Sequence, residues 1–346
     1  MAKASNSVIG VDLGRFSLKS VLLQRKGSSR FVVTNFASRA ASEPIESVET
    51  LARELKALFK DMGGSAKTCA VGVSYPGALI RIIEQPETPT HFLREALRLN
   101  GMALLNQDCR EFVLDCDKIP VANPASSENA QPGHHRYLVG GLPRSEVVQI
   151  GEAFEKTGSV IGAMQLGPVC ALNAFEFANP EVFNNEAFFL VDIGHATTTV
   201  MVGAKRELVL VRSIDFGGKP FFDALTGLSG EDRETVFQAL EHEDEVMVEY
   251  TRVALNALVR EIQNSIGFLE HRHDETIRRL YISGGVAKSR TLLKVLSEEL
   301  HLPCETWSAA ASCEAALPAN QRDSFSQDAA DLNVACGAAA ELLKGN

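Results

Sequence analysis

The sequence predicts an α/β protein made of two halves that open in the same order, the first interrupted by a small α/β insertion. Two stretches carry the duplication. Residues 8–23, VIGVDLGRFSLKSVLL, and residues 188–202, FFLVDIGHATTTVMV, each run an apolar strand into an aspartate, Asp12 or Asp192, with a glycine two positions on, Gly14 or Gly194. One Asp-x-Gly carries little information, but two on strands half a chain apart mark an internal repeat. The insertion shows as a change of texture after Pro86: helix, strand, strand, helix, ending near residue 162. A length of 346 with 45% hydrophobic and 23% charged residues suits a globular chain of roughly two domains.

Taken in order, apolar alternation from Val8, a turn at RKGSSR around Gly27 and resumption at FVVTNF predict a hairpin. Ser47 is the expected N-cap of a helix with Leu51, Leu55, Leu58, Phe59 and Met62 on one face, stopped by Gly63-Gly64. TCAVGVSY is a strand closed by Pro76-Gly77. Within the insertion, PTHFLREALRLNGMALL reads as a helix, REFVLDCDKI and HRYLVGGL as strands, and SEVVQIGEAFEKTG as a helix ending at Gly158. The polar run PVANPASSENAQPGHH between those strands reads as a long connection. A short strand and helix, AMQLGPVCALNAFEF, follow. In the second half AFFLVDIG leads to the strand ELVLVRSIDF, an acidic helical region from Ser229 to His271, the strand LYISGGVA, the helix RTLLKVLSEEL and a strand-like PCETW. The closing DLNVACGAAAELLK is an Ala-rich helix whose small residues suit close approach to a neighbour. In such sheets ligands bind at the carboxyl ends of the strands, and two facing halves leave a cleft there.

The formal net charge of −10 argues against nonspecific nucleic-acid binding and against broad contact with anionic lipid. Any phosphate site must then be built locally, from amides and one or two cations. No apolar run approaches the ~18 residues of a membrane span, and the opening MAKASNS carries no mark of a secretory leader. Seven cysteines without C-x-x-C spacing fit reduced, buried thiols. The histidines form no metal-spaced cluster; His271 and His273 in EHRHDE read as a solvated helix end.

The motifs point to a polyphosphate. In the run Asp12, Leu13, Gly14, Arg15, Phe16, Ser17, Leu18, Lys19, the glycine allows a tight turn whose amides can face a phosphate. Ser17 can donate a hydroxyl hydrogen bond and Lys19 a point charge. Asp12 repels phosphate directly, but becomes useful when Mg²⁺ lies between them, held through waters. Alone, this run also reads as a plain hairpin with a surface aspartate and lysine. The second copy offers the same parts: Asp192, Gly194, His195, Ala196, Thr197 and Thr198. His195 either contacts phosphate or covers the loop. Two further turns follow strands: Phe216-Gly217-Gly218-Lys219, and Gly284-Gly285-Val286-Ala287, which could lie flat against a ribose or base.

This order of first phosphate loop, second phosphate loop, glycine-pair loop and small-residue C-terminal helix resembles the actin/Hsp70/sugar-kinase ATPase superfamily. Within it, the chain resembles over nearly its full length the PilM family of type IV pilus assembly, with FtsA a cousin. The resemblance rests most on residues 8–19, on residues 188–218, on the placement of the insertion, and on LVREIQNSIGFLE. It implies a duplicated actin-like (ribonuclease H-like) ATPase fold. It implies a first domain of residues 1–84, completed by 163–186 and 331–346, an inserted subdomain at 85–162, and a second domain at 187–330 subdivided at about 220–280. It implies ATP or ADP with Mg as cofactors, and Glu261 and Asn264 facing the ribose. As partner it implies the N-terminal cytoplasmic tail of a PilN-like inner-membrane protein, docking in a groove walled by helix 92–105 and strand 111–115 beside TCAVGVSY. Other pilus assembly components and self-association come with it, as does a cytoplasmic location peripheral to the inner membrane. Superfamily hydrolases often place an acidic or amide residue where this chain reads Gly167-Pro168, with Gln165 the nearby candidate, so slow or absent ATPase activity is expected.

Two other functions compete. A small-molecule kinase would need a catalytic aspartate poised against a substrate hydroxyl, and Asp115 and Asp117 sit in an ordinary strand end. An FtsA-like filament former would want a basic amphipathic C-terminal helix, which AAAELLKGN is not.

Overall fold

The structure is a computed structural model that describes residues 6–27, 30–63, 68–120, 133–273 and 275–345. The polar connection expected across residues 121–132, and the turn residues Ser28, Ser29 and Gly64, lie outside the described residues.

The chain opens with β1 (Ser7–Leu13), β2 (Ser17–Lys26) and β3 (Arg30–Ala40), an antiparallel meander. The run 8–23 is therefore two strands, because the turn at residues 14–16 reverses the chain. Helix α1 (Val48–Asp61) follows; the Ser47 side chain accepts from the Thr50 amide at 3.1 Å, the expected N-cap. Strand β4 (Thr68–Val73) is parallel to β1. The insertion comprises β5 (Leu79–Pro86), α2 (Thr90–Leu105), β6 (Phe112–Lys118), β7 (His134–Pro143) and α3 (Arg144–Glu155). Strand β8 (Val160–Leu166) then pairs with β4, and α4 (Gly167–Ala178) follows.

Next come α5 (Pro180–Asn185), the antiparallel strands β9 (Ala187–Ile193), β10 (Thr198–Ala204) and β11 (Glu207–Ile214), and helices α6 (Gly218–Ser229), α7 (Arg233–Glu241) and α8 (Glu245–His273). Then β12 (Leu280–Ser283), parallel to β9, α9 (Arg290–Leu300) and β13 (Cys304–Thr306) complete this part. The tail of the chain supplies β14 (Glu314–Ala315), α10 (Arg322–Asp328) and α11 (Asn333–Lys344).

Of the described residues, 6–119, 133–179 and 308–345 form one compact unit, and 180–307 with Pro120 form a second. The first unit holds a sheet of order β14-β3-β2-β1-β4-β8, the second a sheet of order β11-β10-β9-β12-β13. Each is a three-strand antiparallel meander continued by parallel strands, which is the duplication predicted from the two openings. The central strands β1 and β9 are apolar on both faces, as strands buried on both sides must be. In the first unit α11 lies so close to β1 that a Cβ on Gly10 would meet the Ala335 carbonyl oxygen at 1.8 Å. The second unit has its own core of Phe189, Val191, Phe221, Leu255, Ile262 and Leu292 among others.

The insertion makes a separate three-stranded sheet, β5-β7-β6, with α2 laid on one face through Leu93 and Leu97. The groove geometry expected from the sequence changes accordingly. Strand β4 is flanked by β1 and β8, not by β6, and Phe92 stands on the outer side of α2, 63% exposed. The face of this sheet turned away from α2 carries Ile80, Ile82, Leu138 and Val113, with Ile82 paired directly to Leu138.

Candidate functional site

The first turn is set by strand register. Asp12 is the next-to-last residue of β1, with Lys19 as its cross-strand partner, and β4 runs alongside so that Ser74 follows its last residue. Lys19 Nζ lies 3.5 Å from Asp12 Oδ2, and the Ser74 hydroxyl donates to Asp12 Oδ1 at 3.2 Å. The Gly14 amide donates to the Ser17 carbonyl at 3.1 Å, closing the turn. The carbonyls of Arg15 and Phe16 accept from the amides of Ile45 and Ala41. The guanidinium of Arg15 is taken by the Ile45 carbonyl and the Glu146 carboxylate.

The second turn repeats this plan. Gly194 donates to the Thr197 carbonyl at 3.0 Å, and the Ser283 hydroxyl, at the end of the neighbouring parallel strand, donates to Asp192 Oδ1 at 2.7 Å. The cross-strand partner of Asp192 is Thr199, where the first turn has Lys19. The other two predicted turns of this unit converge here. The amides of Gly218 and Lys219 donate to the Gly194 and His195 carbonyls at 2.8 and 2.7 Å, so the start of α6 braces the loop. The Thr198 hydroxyl is buried and donates to the Phe216 carbonyl at 2.7 Å. Gly284 has a φ of +97°, and a Cβ there would meet the Ile193 carbonyl oxygen at 2.1 Å; glycine alone suits both demands. Gly217 is buried, Gly285 exposed, and Val286 packs beside Gly218. Ala196 and His195 are half-buried, and burial together with Arg233 and Lys219 lowers the imidazole pKa, favouring the neutral ring. The Lys219 ammonium pairs with Asp223 at 2.5 Å.

Glu261 and Asn264 both stand on α8. Glu261 accepts from Arg212 of β11 at 2.6 Å, and Asn264 is exposed. Sequence reasoning missed Ser74 and Ser283, the hydroxyls that orient the two aspartates. The signal was present: both parallel neighbour strands end in an apolar residue followed by serine, Val73-Ser74 and Ile282-Ser283.

Asp12 is 7% exposed, and burial raises its carboxyl pKa, an effect only partly offset by Lys19 and Ser74. A raised folded-state pKa stabilises the fold fully below the unfolded value of about 3.9, and that contribution is lost as pH rises through the folded value. At neutral pH the ionised carboxylate therefore works against folding. Asp12→Asn is expected to raise the melting temperature by a few degrees at pH 7, with the gain shrinking toward about pH 4. Melts across that range test this, and a lower melting temperature for the variant at pH 7 would contradict it.

Two sheets of meander-plus-parallel order, each presenting an Asp-x-Gly turn at the carboxyl end of its central strand, define an actin-like ATPase fold. Solved structures of the same fold include a PilM–PilN type IV pilus biogenesis complex, with a TM-score of 0.79, 20% identity and 99% of each chain covered. They also include a diol dehydratase-reactivating factor in nucleotide-free form, with a TM-score of 0.56, 8% identity and coverage of 98% of this chain and 100% of that one. The ethanolamine utilization protein EutJ from Carboxydothermus hydrogenoformans matches with a TM-score of 0.53, 13% identity and coverage of 97% and 91%. No curated protein matches the sequence. The family model of the type IV pilus assembly protein PilM matches residues 10–342, and the chain belongs to that family. It is a PilM-like component of type IV pilus assembly. Among the described residues, no helix is long and apolar enough to cross a membrane.

Proposed function

We propose that this PilM-family protein is a nucleotide-binding scaffold at the cytoplasmic face of the inner membrane, and that it captures the N-terminal tail of a PilN-like membrane protein. The observation that carries the nucleotide reading is the repeated turn. Both turns close by the same amide-to-carbonyl bond, and each sets a serine-oriented aspartate beside it. Lys19, Ser17 and Thr197 supply cation and hydroxyls for phosphate oxygens. The aspartates suit Mg²⁺ in a water-mediated role. One oxygen of each accepts a serine hydroxyl, and Mg²⁺ typically keeps several waters and takes one or two carboxylates together with phosphate. Bound at either turn, the ion would neutralise phosphate charge, with that turn's aspartate, Asp12 or Asp192, holding its waters.

Mg-ATP at about 100 times its Kd should add roughly 2.7 kcal/mol of stability. A melt with and without Mg-ATP should then rise by several degrees; no shift together with no heat in calorimetry would leave a fold without a nucleotide. Turnover is expected to be slow. At the start of α4 stand Gly167 and Pro168, and the Gln165 amide oxygen accepts the Cys170 thiol at 3.5 Å, so this turn offers no acid to position water. Phosphate release at several turnovers per second would contradict this part.

The tail reading is supported by the open face of the β5-β7-β6 sheet. Its paired, half-buried Ile82 and Leu138 and the exposed Val113 present apolar surface, and among the described residues β5 and β6 are the outer strands of the sheet, able to pair with an extended peptide. A Cβ on Gly140, on the same face, would touch the Leu166 side chain at 3.1 Å, so the end of β8 bounds that surface.

A further inference from the structure

Arg15 belongs to the first turn, yet its guanidinium is engaged away from it. Nη1 donates to the Ile45 carbonyl at 2.6 Å, Nη2 is bound to the Glu146 carboxylate, and Cζ lies 3.9 Å from the centroid of the Tyr75 ring. Glu146 stands in the first turn of α3, inside the insertion. The Arg15 and Glu146 side chains are only 18% and 22% exposed. Two polar atoms of this cluster are buried without a hydrogen-bond partner among the described residues: Glu146 Oε2 and the Tyr75 hydroxyl. Burial pushes the tyrosine up to about 12, so it stays protonated. A single guanidinium thus compensates a largely buried carboxylate that already lacks a partner for its second oxygen.

We propose that Arg15 is a ligand shared between two acceptors: it holds Glu146 while the first turn is empty and swings to a phosphate oxygen when a nucleotide fills that turn, so that nucleotide binding loosens α3 and the insertion. This rests on the reading of the first turn as a phosphate site. A guanidinium matches carboxylate and phosphate with the same planar fork, so the two compete for one group. Polyphosphate carries the greater charge. The released Glu146 keeps some support from the N-terminus of α3, where negative charge is favoured. Linkage makes the coupling reciprocal: whatever holds α3 to Arg15 weakens nucleotide binding by the same factor.

Glu146→Gln removes the competitor with little change of shape. Calorimetry with Mg-ATP should show the variant binding about five- to ten-fold tighter than wild type, at the lower end of ordinary coupling factors. Hydrogen exchange at the amides of residues 144–155 should quicken when wild type is saturated with Mg-ATP; in Glu146→Gln it should already be fast and unresponsive. Tyr75→Phe keeps the ring under Arg15 and should retain the wild-type response. Mg-ATP binding with no change in α3, equal or weaker binding by Glu146→Gln, or loss of the response in Tyr75→Phe would each overturn the inference and leave the phosphate site standing. Absence of heat with Mg-ATP in both proteins would overturn the phosphate reading and the inference with it.

Discussion

Gly337→Ala is expected to cost about 2 kcal/mol of stability despite placing a better helix former in α11. Helix propensity favours alanine by about 1 kcal/mol. Against that, a Cβ at residue 337 would lie 1.8 Å from the Cys170 carbonyl oxygen and 3.0 Å from the Ala174 amide nitrogen, both backbone atoms of α4. A flexible side-chain end could move aside; a helix backbone cannot without shifting the whole element, and overpacking of this kind typically costs 1–3 kcal/mol, occasionally more. The clash therefore wins. Helix α11 also packs on β1, whose last residues form the first turn, so the displacement would propagate toward Asp12. Gly151→Ala in α3 is the control. Nothing lies within 4 Å of its added Cβ, so the propensity gain of about 1 kcal/mol should appear unopposed. At about 2–4 °C per kcal/mol for a unit of this size, the two variants should melt on opposite sides of wild type. Equal melting temperatures would refute the close approach of α11 to α4.

Leu138→Glu is expected to weaken the proposed capture of a PilN-like tail by about a hundred-fold or more. The substitution sets a carboxylate against Ile82 on the open face of the insertion's sheet. Covering an unpaired charge with an apolar peptide costs several kcal/mol, and 1.4 kcal/mol is already ten-fold in affinity. Phe92→Glu, on the outer side of α2, should bind the tail as wild type does. Anisotropy of a labelled tail peptide measures both. Undiminished binding by Leu138→Glu with loss in Phe92→Glu would move the docking surface to the outer face of α2. Leu138 is half-buried rather than buried, so the variant should still fold.

The sequence by itself determined most of the elements and their order, but it merged β1 with β2 and left out β5. Apolar alternation set β1 and β9, and the strand-Asp-x-Gly repeat revealed the duplication. Ser47 marked the start of α1, whereas the insertion expected from residue 85 opens earlier in the structure, with β5 at Leu79. These are local signals, because period, cap and turn chemistry act within a few residues of chain. The sequence also placed the two aspartates at strand ends, where the registers have them. Only the tertiary structure decided what those residues touch. Arg15 meets Glu146, 131 residues away in the chain; Ser74 and Ser283 orient the aspartates from neighbouring parallel strands. The amides of Gly218 and Lys219 are spent on the second loop, Glu261 is held by Arg212, and α2 covers the face of the insertion opposite to Ile82 and Leu138. Such pairings depend on crossover connections and on which face of a sheet a helix covers. A side chain's own neighbours in the chain carry no record of either, because the energy that selects them comes from burial shared among segments far apart in sequence.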